Sequence, residues 1–199
     1  MSDNSRTPRE QDILAAAAQL FASQGYPGSS MSQLAAACGL SKPALYHYVP
    51  DKAELLARIC ETHVDKLAAL VREVLAQNLA PEPQLRELVR RFLAVYTAAR
   101  HEHRVLTEDL KFLPEARQQR IRELEREVVA GFAEALTALR PQLAPGGLAK
   151  PITMLLFGMI NWTYTWHRPE GALSDAQLAE VVSALLLGGL PAVSPELIA

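Results

Sequence analysis

Residues 30–52 read SMSQLAAACGLSKPALYHYVPDK, and this stretch decides the fold of the first part of the chain. Ser30 and Ser41 can each begin a helix of about seven residues, because a serine hydroxyl accepts a hydrogen bond from an amide of the first turn. Gly39 lies between the two helices, where the chain must reverse sharply. The apolar side chains that can pack between the helices are Leu34, Ala35, Leu40 and Leu45. This spacing is typical of a helix-turn-helix unit.

The second of these helices, predicted to end near Tyr48, carries side chains that suit contact with DNA. Lys42 is a cation, and Tyr46, His47 and Tyr48 can donate to phosphate oxygens. Pro43 and Ala44 are small apolar residues that suit a thymine methyl. The second helix of such a unit lies in the major groove of DNA. The spacing alone fits equally a small helical hairpin whose aromatic residues close a core, so both interpretations stay open.

Three segments of this region together resemble a known family. AAAAQLFASQG at 15–25, SMSQLAAACGLSK at 30–42 and LYHYVPDKAELL at 45–56 follow the N-terminal motif of TetR-family transcriptional repressors. The resemblance covers residues 13–59 and implies that the second helix and its flanks contact DNA. The residues it places there are Ser32, Lys42, Pro43, Ala44, Tyr46, His47, Tyr48 and Lys52. Ser41 joins this set because the helix N-terminus that it caps favours a phosphate.

The rest of the chain predicts further helices and no strands. It has no sustained alternation of apolar and polar residues and no Asn-Gly or Asp-Gly hairpin turn. Apolar stripes, capping residues and glycine or proline stops predict about nine helices, including a short one over about Arg104–Leu113 and an apolar one over Ile152–Trp166. We therefore expect an all-α protein, with a three-helix DNA-binding domain at 1–52 and a helical ligand-binding and dimerisation domain at 53–199.

The family resemblance further implies an effector pocket in the C-terminal helices and a homodimer made by the last two helices. Residues 158–171, GMINWTYTWHRPEG, resemble the C-terminal helix of the TetR subgroup that responds to acyl-CoA thioesters. An indole can stack on adenine and an arginine can pair with a phosphate. The predicted effector residues are His63, Phe92, Tyr96, Phe112, Phe157, Trp162, Trp166 and Arg168. The same residue types fit a core stripe with a solvated arginine, and a free hydrophobic ligand is the alternative to a thioester.

Composition narrows the class of protein. The chain has 199 residues, of which 49% are hydrophobic and 21% charged, which is typical of a globular protein. A net charge of −2 argues against a polybasic binder, and two cysteines exclude a disulfide scaffold. Neither a signal peptide nor a membrane span is predicted, so we expect a cytoplasmic protein. With no nucleophile–base motif, Gly-rich phosphate loop or HExxH, we expect neither an enzyme nor a cofactor.

One local cluster suggests a metal site. His101 and His103, with Glu108 and Asp109 nearby, have metal-binding chemistry, but His-x-His spacing on a helix points the two rings about 200° apart. A solvated helix start is the preferred interpretation. The sequence thus predicts a homodimeric repressor that binds a palindromic DNA operator and is released by a small hydrophobic effector, such as an acyl-CoA. The rival is an all-helical acyl-CoA- or hydrophobic-ligand-binding protein with no DNA role.

Overall fold

The computed structural model describes residues 7–144 and 147–193, which are helical and contain no strand. The α-helices are α1 (Pro8–Gln24), α2 (Met31–Ala37), α3 (Lys42–Tyr46), α4 (Lys52–Leu75), α5 (Pro81–Ala98), α6 (Arg100–Asp109), α7 (Glu115–Leu139), α8 (Ala149–Asn161), α9 (Thr163–Trp166) and α10 (Asp175–Gly189). Short 3₁₀ turns cover Leu110–Phe112, Pro141–Leu143 and Leu190–Ala192. If α8 and α9, which only Trp162 separates, are counted together, these residues form nine α-helices. The predicted all-α fold and the number of helices are confirmed.

The predicted helix starts follow from local capping chemistry. Reciprocal capping boxes begin α1, α2 and α10, as the sequence predicts. The pairs are Thr7 with Glu10, Ser30 with Gln33, and Ser174 with Gln177. Gly25 and Gly39 have φ values of +77° and +62°, a region that favours glycine, and they end α1 and turn the chain between α2 and α3.

Three predicted boundaries are wrong. Helix α3 ends at Tyr46 rather than Tyr48. The amides of the two residues that follow, His47 and Tyr48, donate to carbonyls three residues back instead of four, as in a 3₁₀ turn. Helix α6 spans Arg100–Asp109 rather than Arg104–Leu113. The first turn of α6 is largely polar, so no apolar stripe in the sequence marks where the helix begins. The predicted single helix Ile152–Trp166 is broken at Trp162. There the Thr163 hydroxyl donates to the Ile160 carbonyl at 2.7 Å, so a side chain competes for the backbone acceptors.

The first compact unit contains the chain through Val64 together with Ala99–Ile121. Within it, α1 packs against α2 and α6, and α2 packs against α3. Its core consists of fully buried apolar side chains, chiefly Ile13, Phe21, Leu34, Leu45, Leu55, Ile59, Val105 and Ile121. The short helices α2 and α3 bury only a few side chains each, so this shared core holds them in place.

The second compact unit contains Asp65–Ala98 and the chain from Arg122 onward. Helix α10 packs against α5 and α8, and α9 packs against the same two helices. Its core includes Leu85, Leu88, Phe92, Phe132, Leu136, Leu156 and Ile160. At one crossing in this unit, a Cβ on Gly131 of α7 would overlap Cγ1 of Val71. The two units are defined by contacts alone, and the functional boundary at residue 52 stays a prediction.

Candidate functional site

The α2–α3 region has the geometry of a helix-turn-helix. Leu34 of α2 and Leu45 of α3 are fully buried. At the turn, the Leu40 amide donates to the Ala35 carbonyl at 2.8 Å, and Gly39 supplies the positive φ that the reversal requires. Ser41 begins α3, because its Oγ accepts from the Ala44 amide at 3.3 Å. The direction of α3 is therefore set by one buried leucine, one cap and one glycine turn.

Helix α3 turns its polar and aromatic side chains outward. Tyr46 is 46% exposed, and Lys42, Pro43 and His47 are exposed as well. Ala44 and Tyr48 are half-buried, while Ser32 and Ser41 are exposed. The alternative in which these aromatics close a core does not fit this arrangement, because Tyr46 and His47 face solvent. The surface offers hydroxyl, imidazole and ammonium donors, which is the chemistry that phosphate oxygens accept.

Two nearby cations are held inside the first unit. Arg9 donates from Nη2 to the Cys38 carbonyl at 2.8 Å. Lys52 donates from Nζ to the Tyr26 and Ser29 carbonyls, each at 2.8 Å. Lys42, in contrast, makes no ion pair with any residue that the structure describes. Residues 1–52 also contain four acidic side chains (Asp3, Glu10, Asp12, Asp51) against four basic ones (Arg6, Arg9, Lys42, Lys52).

The thiol in the turn is a packing group. Cys38 is partly buried and its Sγ lies 4.0 Å from the Ile13 carbonyl oxygen. Burial raises the pKa of the Cys38 thiol, which outweighs the opposing effect of the Arg9 charge. A thiol that stays protonated is a poor nucleophile. This agrees with the prediction that Cys38 fills space next to α1.

In the second unit, three of the predicted effector residues lie in one aromatic cluster. The ring centroids of Phe92 and Tyr96 are 5.8 Å apart, and those of Phe92 and Phe157 are 6.1 Å apart. Phe132, which the sequence analysis left out of the effector set, lies 4.8 Å from Phe92 and 5.0 Å from Phe157. All four side chains are buried.

A polar contact adjoins this cluster. The Tyr96 hydroxyl donates to Oδ1 of Asn161 at 2.8 Å. Burial, followed by the nearby Glu125 charge, raises the pKa of Tyr96, so the phenol stays protonated. Burial also raises the pKa of Glu125. Neither Asn161 nor Glu125 belongs to the effector residues predicted from the sequence. Asn161 lies within the acyl-CoA-like segment 158–171, but nothing in the sequence signals that Glu125 is partly buried.

The other predicted effector residues lie elsewhere. Trp162 and Trp166 are 60% and 54% exposed, and Arg168 is exposed with its Nη1 donating to the His167 carbonyl at 2.9 Å. His63 and Phe112 belong to the first unit. His63 is buried with its Nε2 3.3 Å from Nδ1 of His103, and Phe112 stacks on Tyr26.

The second unit also has an exposed apolar face. Helices α8 and α10 pack against each other, and each leaves large apolar side chains in solvent. They are Met154 and Leu155 on α8, Trp162 between α8 and α9, Trp166 at the end of α9, and Val181 and Leu185 on α10. This number of large apolar side chains left in solvent on packed helices indicates an interaction surface.

Neither a metal cluster nor a membrane helix appears among the described residues. His101 is exposed and His103 faces His63, and no group of three or more His, Cys, Asp or Glu side chains in residues 7–144 and 147–193 is placed to hold a metal ion. Over the same ranges, none of the helices combines the length and the apolar character that crossing a bilayer requires.

Comparisons with known proteins agree with the fold. The solved structure of a TetR-family transcriptional regulator from Bordetella parapertussis 12822 is 38% identical, covers 94% of this chain and 98% of that chain, and superposes with a TM-score of 0.88. AibR, solved in complex with isovaleryl coenzyme A and operator DNA, is 27% identical, with 89% and 97% of the two chains covered and a TM-score of 0.76. The transcriptional repressor KstR2 of Mycolicibacterium smegmatis is 25% identical over 92% of this chain and 90% of its own length.

Family profiles match both parts of the chain. The profile described as bacterial regulatory proteins, tetR family, matches residues 13–59. The profile described as tetracyclin repressor-like, C-terminal domain, matches residues 78–190, which is more than half of the chain. These relatives are regulators rather than enzymes. The chain belongs to the TetR family of DNA-binding transcriptional regulators.

Proposed function

We propose that this protein is a homodimeric repressor that binds a palindromic operator through α3 and releases it when a small hydrophobic effector, such as an acyl-CoA thioester, binds. Residues 1–52 act as the DNA-binding domain and residues 53–199 as the ligand-binding and dimerisation domain. The observation that carries the proposal is the outward face of α3, whose Lys42, Tyr46 and His47 are exposed within a chain of this family. Repression is supported by KstR2, a relative over most of its length that is named as a repressor.

The proposed DNA contacts divide by chemistry. Lys42 neutralises a phosphate, and hydroxyl and imidazole groups donate to phosphate oxygens, which sets the register on the duplex. The donors are Ser32, Ser41, Tyr46, His47 and Tyr48. Pro43 and Ala44 offer apolar contact to a thymine methyl in the major groove. Lys52 is the ninth residue of the predicted set, but its Nζ already donates to two carbonyls of the first unit.

The exposed apolar face of α8–α10 supports the dimer. Leu155, Trp162 and Leu185 would lie in solvent in a monomer, and large apolar and aromatic side chains are the groups that anchor protein interfaces. A two-fold dimer presents two copies of α3 to two half-sites, which is why the operator is palindromic. The half-sites are then about 34–36 Å apart, or a multiple of that. In this proposal Trp162 and Trp166 contact the partner subunit rather than a ligand.

The aromatic cluster of the second unit is the proposed effector site. Phe92, Phe157 and Tyr96 form an apolar surface, and the Tyr96–Asn161 hydrogen bond gives it polar groups that a thioester carbonyl can use. AibR, with 27% identity, was solved with isovaleryl coenzyme A, which supports the thioester class over a free hydrophobic compound.

Because α4 contributes residues to both units, a ligand-induced shift of this helix can weaken operator binding, with a typical coupling of about 1–3 kcal/mol. We also propose that the protein is cytoplasmic, where it can reach an operator.

Operator binding tests the DNA part of the proposal. A labelled fragment of the protein's own promoter region is titrated with the wild type, Tyr46→Ala and Lys42→Ala, with Lys66→Ala as the matched exposed-lysine control. Because each lost contact costs about 1–3 kcal/mol, the first two should weaken binding at least fivefold and the control should not. Wild-type binding that neither α3 variant changes would contradict the assignment of α3. An effector-binding protein that ignores the promoter would favour the rival without a DNA role.

Release by ligand tests the effector class. The bound fragment is titrated with isovaleryl-CoA, longer acyl-CoAs, and the matching free acids. Release by thioesters alone supports the proposal, and Tyr96→Phe should shift the releasing concentration upward by removing one hydrogen-bonding group. Release by the free acids at equal concentration would favour a free hydrophobic ligand.

A further inference from the structure

The segment that joins α1 to α2, residues 25–30, is the part of the first unit that places the helix-turn-helix. We call it the α1–α2 connector. Its backbone is folded on itself, because the Ser29 hydroxyl donates to the Gly25 carbonyl at 2.9 Å and the Ser29 amide donates to the Tyr26 carbonyl at 3.3 Å. Ser30, the last residue of the connector, is the N-cap of α2. Any movement of the connector is therefore passed directly to the start of α2.

Lys52, the first residue of α4, connects the α1–α2 connector to this helix. Its Nζ donates to the carbonyls of Tyr26 and Ser29, both at 2.8 Å, and it lies 4.3 Å from the centroid of the Tyr26 ring. Two of the three donors of the ammonium group are thus used inside the protein. Ser29 is only 4% exposed, so its carbonyl and hydroxyl depend on such internal partners.

Tyr26 also contacts the end of α6. The ring of Phe112, in the 3₁₀ turn that follows α6, stacks on the Tyr26 ring with centroids 5.5 Å apart and planes 25° from parallel. The carboxyl group of Asp109, the last residue of α6, is buried next to Tyr26. Burial raises the pKa of Asp109, and the Tyr26 backbone opposes this rise. Phe21 of α1 completes the contacts, edge-on at 5.3 Å.

The exposure of Phe112 shows whether its ring serves the hydrophobic core or holds the connector. A phenylalanine that serves the core is buried, whereas Phe112 is 41% exposed and lies in a three-residue turn. Among the described residues, the Phe112 ring contacts the Tyr26 ring, and the Lys111 ammonium lies 5.3 Å from the Phe112 centroid. Its removal should therefore affect the connector more than the global stability.

We infer that Phe112 and Lys52 are positioning residues for DNA binding, which act through Tyr26, rather than an effector contact and a phosphate contact. Together with Asp109 they fix the α1–α2 connector between the end of α6 and the start of α4, and thereby fix α2 and α3. This inference rests on the proposed function, because the positioned element is the proposed DNA-binding surface.

Salt dependence separates positioning by Lys52 from phosphate binding. The variant Lys52→Met removes the two hydrogen bonds and the charge, and its affinity for the promoter fragment is measured from low to moderate salt. A positioning residue lowers the affinity and leaves the slope of log K against log salt unchanged. A phosphate ligand present twice per dimer lowers the magnitude of the slope by about 1.8, since each phosphate contact contributes about 0.9. The second result would overturn the inference for Lys52.

Ring chemistry provides the test for Phe112. Phe112→Leu keeps an apolar side chain but loses the stacking and should weaken operator binding by roughly 5- to 150-fold, counting both copies of the aromatic pair. Phe112→Tyr keeps the ring and should restore binding, which a simple loss of apolar volume would not explain. Melting temperatures of both variants should stay close to that of the wild type. Operator binding by Phe112→Leu within twofold of the wild type would overturn the inference for Phe112.

Amide hydrogen exchange keeps this inference separate from the proposed function. In Phe112→Leu and Lys52→Met, exchange should accelerate at residues 26–34, while α8 and α10 serve as internal references and stay unchanged. This readout needs no DNA, so it remains decisive even if the wild-type protein ignores the promoter fragment and the proposed function fails. Unchanged exchange at residues 26–34 in both variants would show that the contacts do not hold the connector.

Discussion

The dimer gives the sharpest quantitative prediction, through the single change Leu155→Asp. Leu155 is 71% exposed on α8, so most of its side chain can still be removed from water by a partner. Complete burial of a leucine is worth about 1.5–3 kcal/mol, and the remaining fraction is therefore worth about 1–2 kcal/mol. A two-fold interface contains the residue twice, so losing this burial costs about 2–4 kcal/mol. The dimer dissociation constant should then rise at least 30-fold and up to about 700-fold.

Analytical ultracentrifugation over a range of concentrations measures this constant. Burying an unpaired aspartate adds a further cost, so a rise of about 30-fold in the dissociation constant is the minimum expected. Leu79→Asp is the matched control, because Leu79 is an exposed leucine outside the α8–α10 face. Both variants should keep the wild-type helical circular dichroism. A Leu155→Asp protein that dimerises like the wild type would refute the assignment of the exposed face to the dimer.

Three further predictions follow from single sites. Gly131→Ala should destabilise the second unit by about 1–3 kcal/mol, because the new Cβ overlaps Val71 Cγ1. Thermal unfolding should show a lower Tm. An unchanged Tm would mean that α4 and α7 can move apart at this position without cost. Lys42→Ala should reduce the magnitude of the salt slope of operator binding by about 1.8, counting both subunits, whereas Lys66→Ala should not. Burial raises the pKa of Glu125, so ionisation of this carboxyl group opposes folding. The free energy of unfolding of the wild type should therefore fall as the pH rises through the folded-state pKa, and Glu125→Gln should remove that fall. Urea titrations at several pH values can measure both.

Local chemistry explains why much of the first unit was predictable. The caps at Thr7 and Ser30 and the reversal at Gly39 depend on neighbouring residues in the chain, and the structure has each as the sequence predicts. The outward direction of Tyr46 follows from the burial of Leu45 beside it, which is a matter of helical period.

Long-range contacts explain what the sequence could not predict. Phe112 and Lys52 have residue types that fit a pocket and a phosphate, yet their partners are Tyr26 and Ser29, more than twenty positions away in the chain. The Ile152–Trp166 segment is apolar on all sides, so its period does not reveal which tryptophans face solvent. The break at Trp162 depends on a threonine hydroxyl that takes a carbonyl from the helix, and helix propensities do not include this competition.

Photo-crosslinking from position 46 can show whether the exposed face of α3 meets the operator. Tyr46 is replaced by the photoreactive residue p-benzoylphenylalanine, and the complex with the promoter fragment is irradiated and mapped at base resolution. Adducts should form at two symmetry-related positions, one in each half of a palindrome. A bound complex that gives no adduct from position 46 would contradict this assignment of α3.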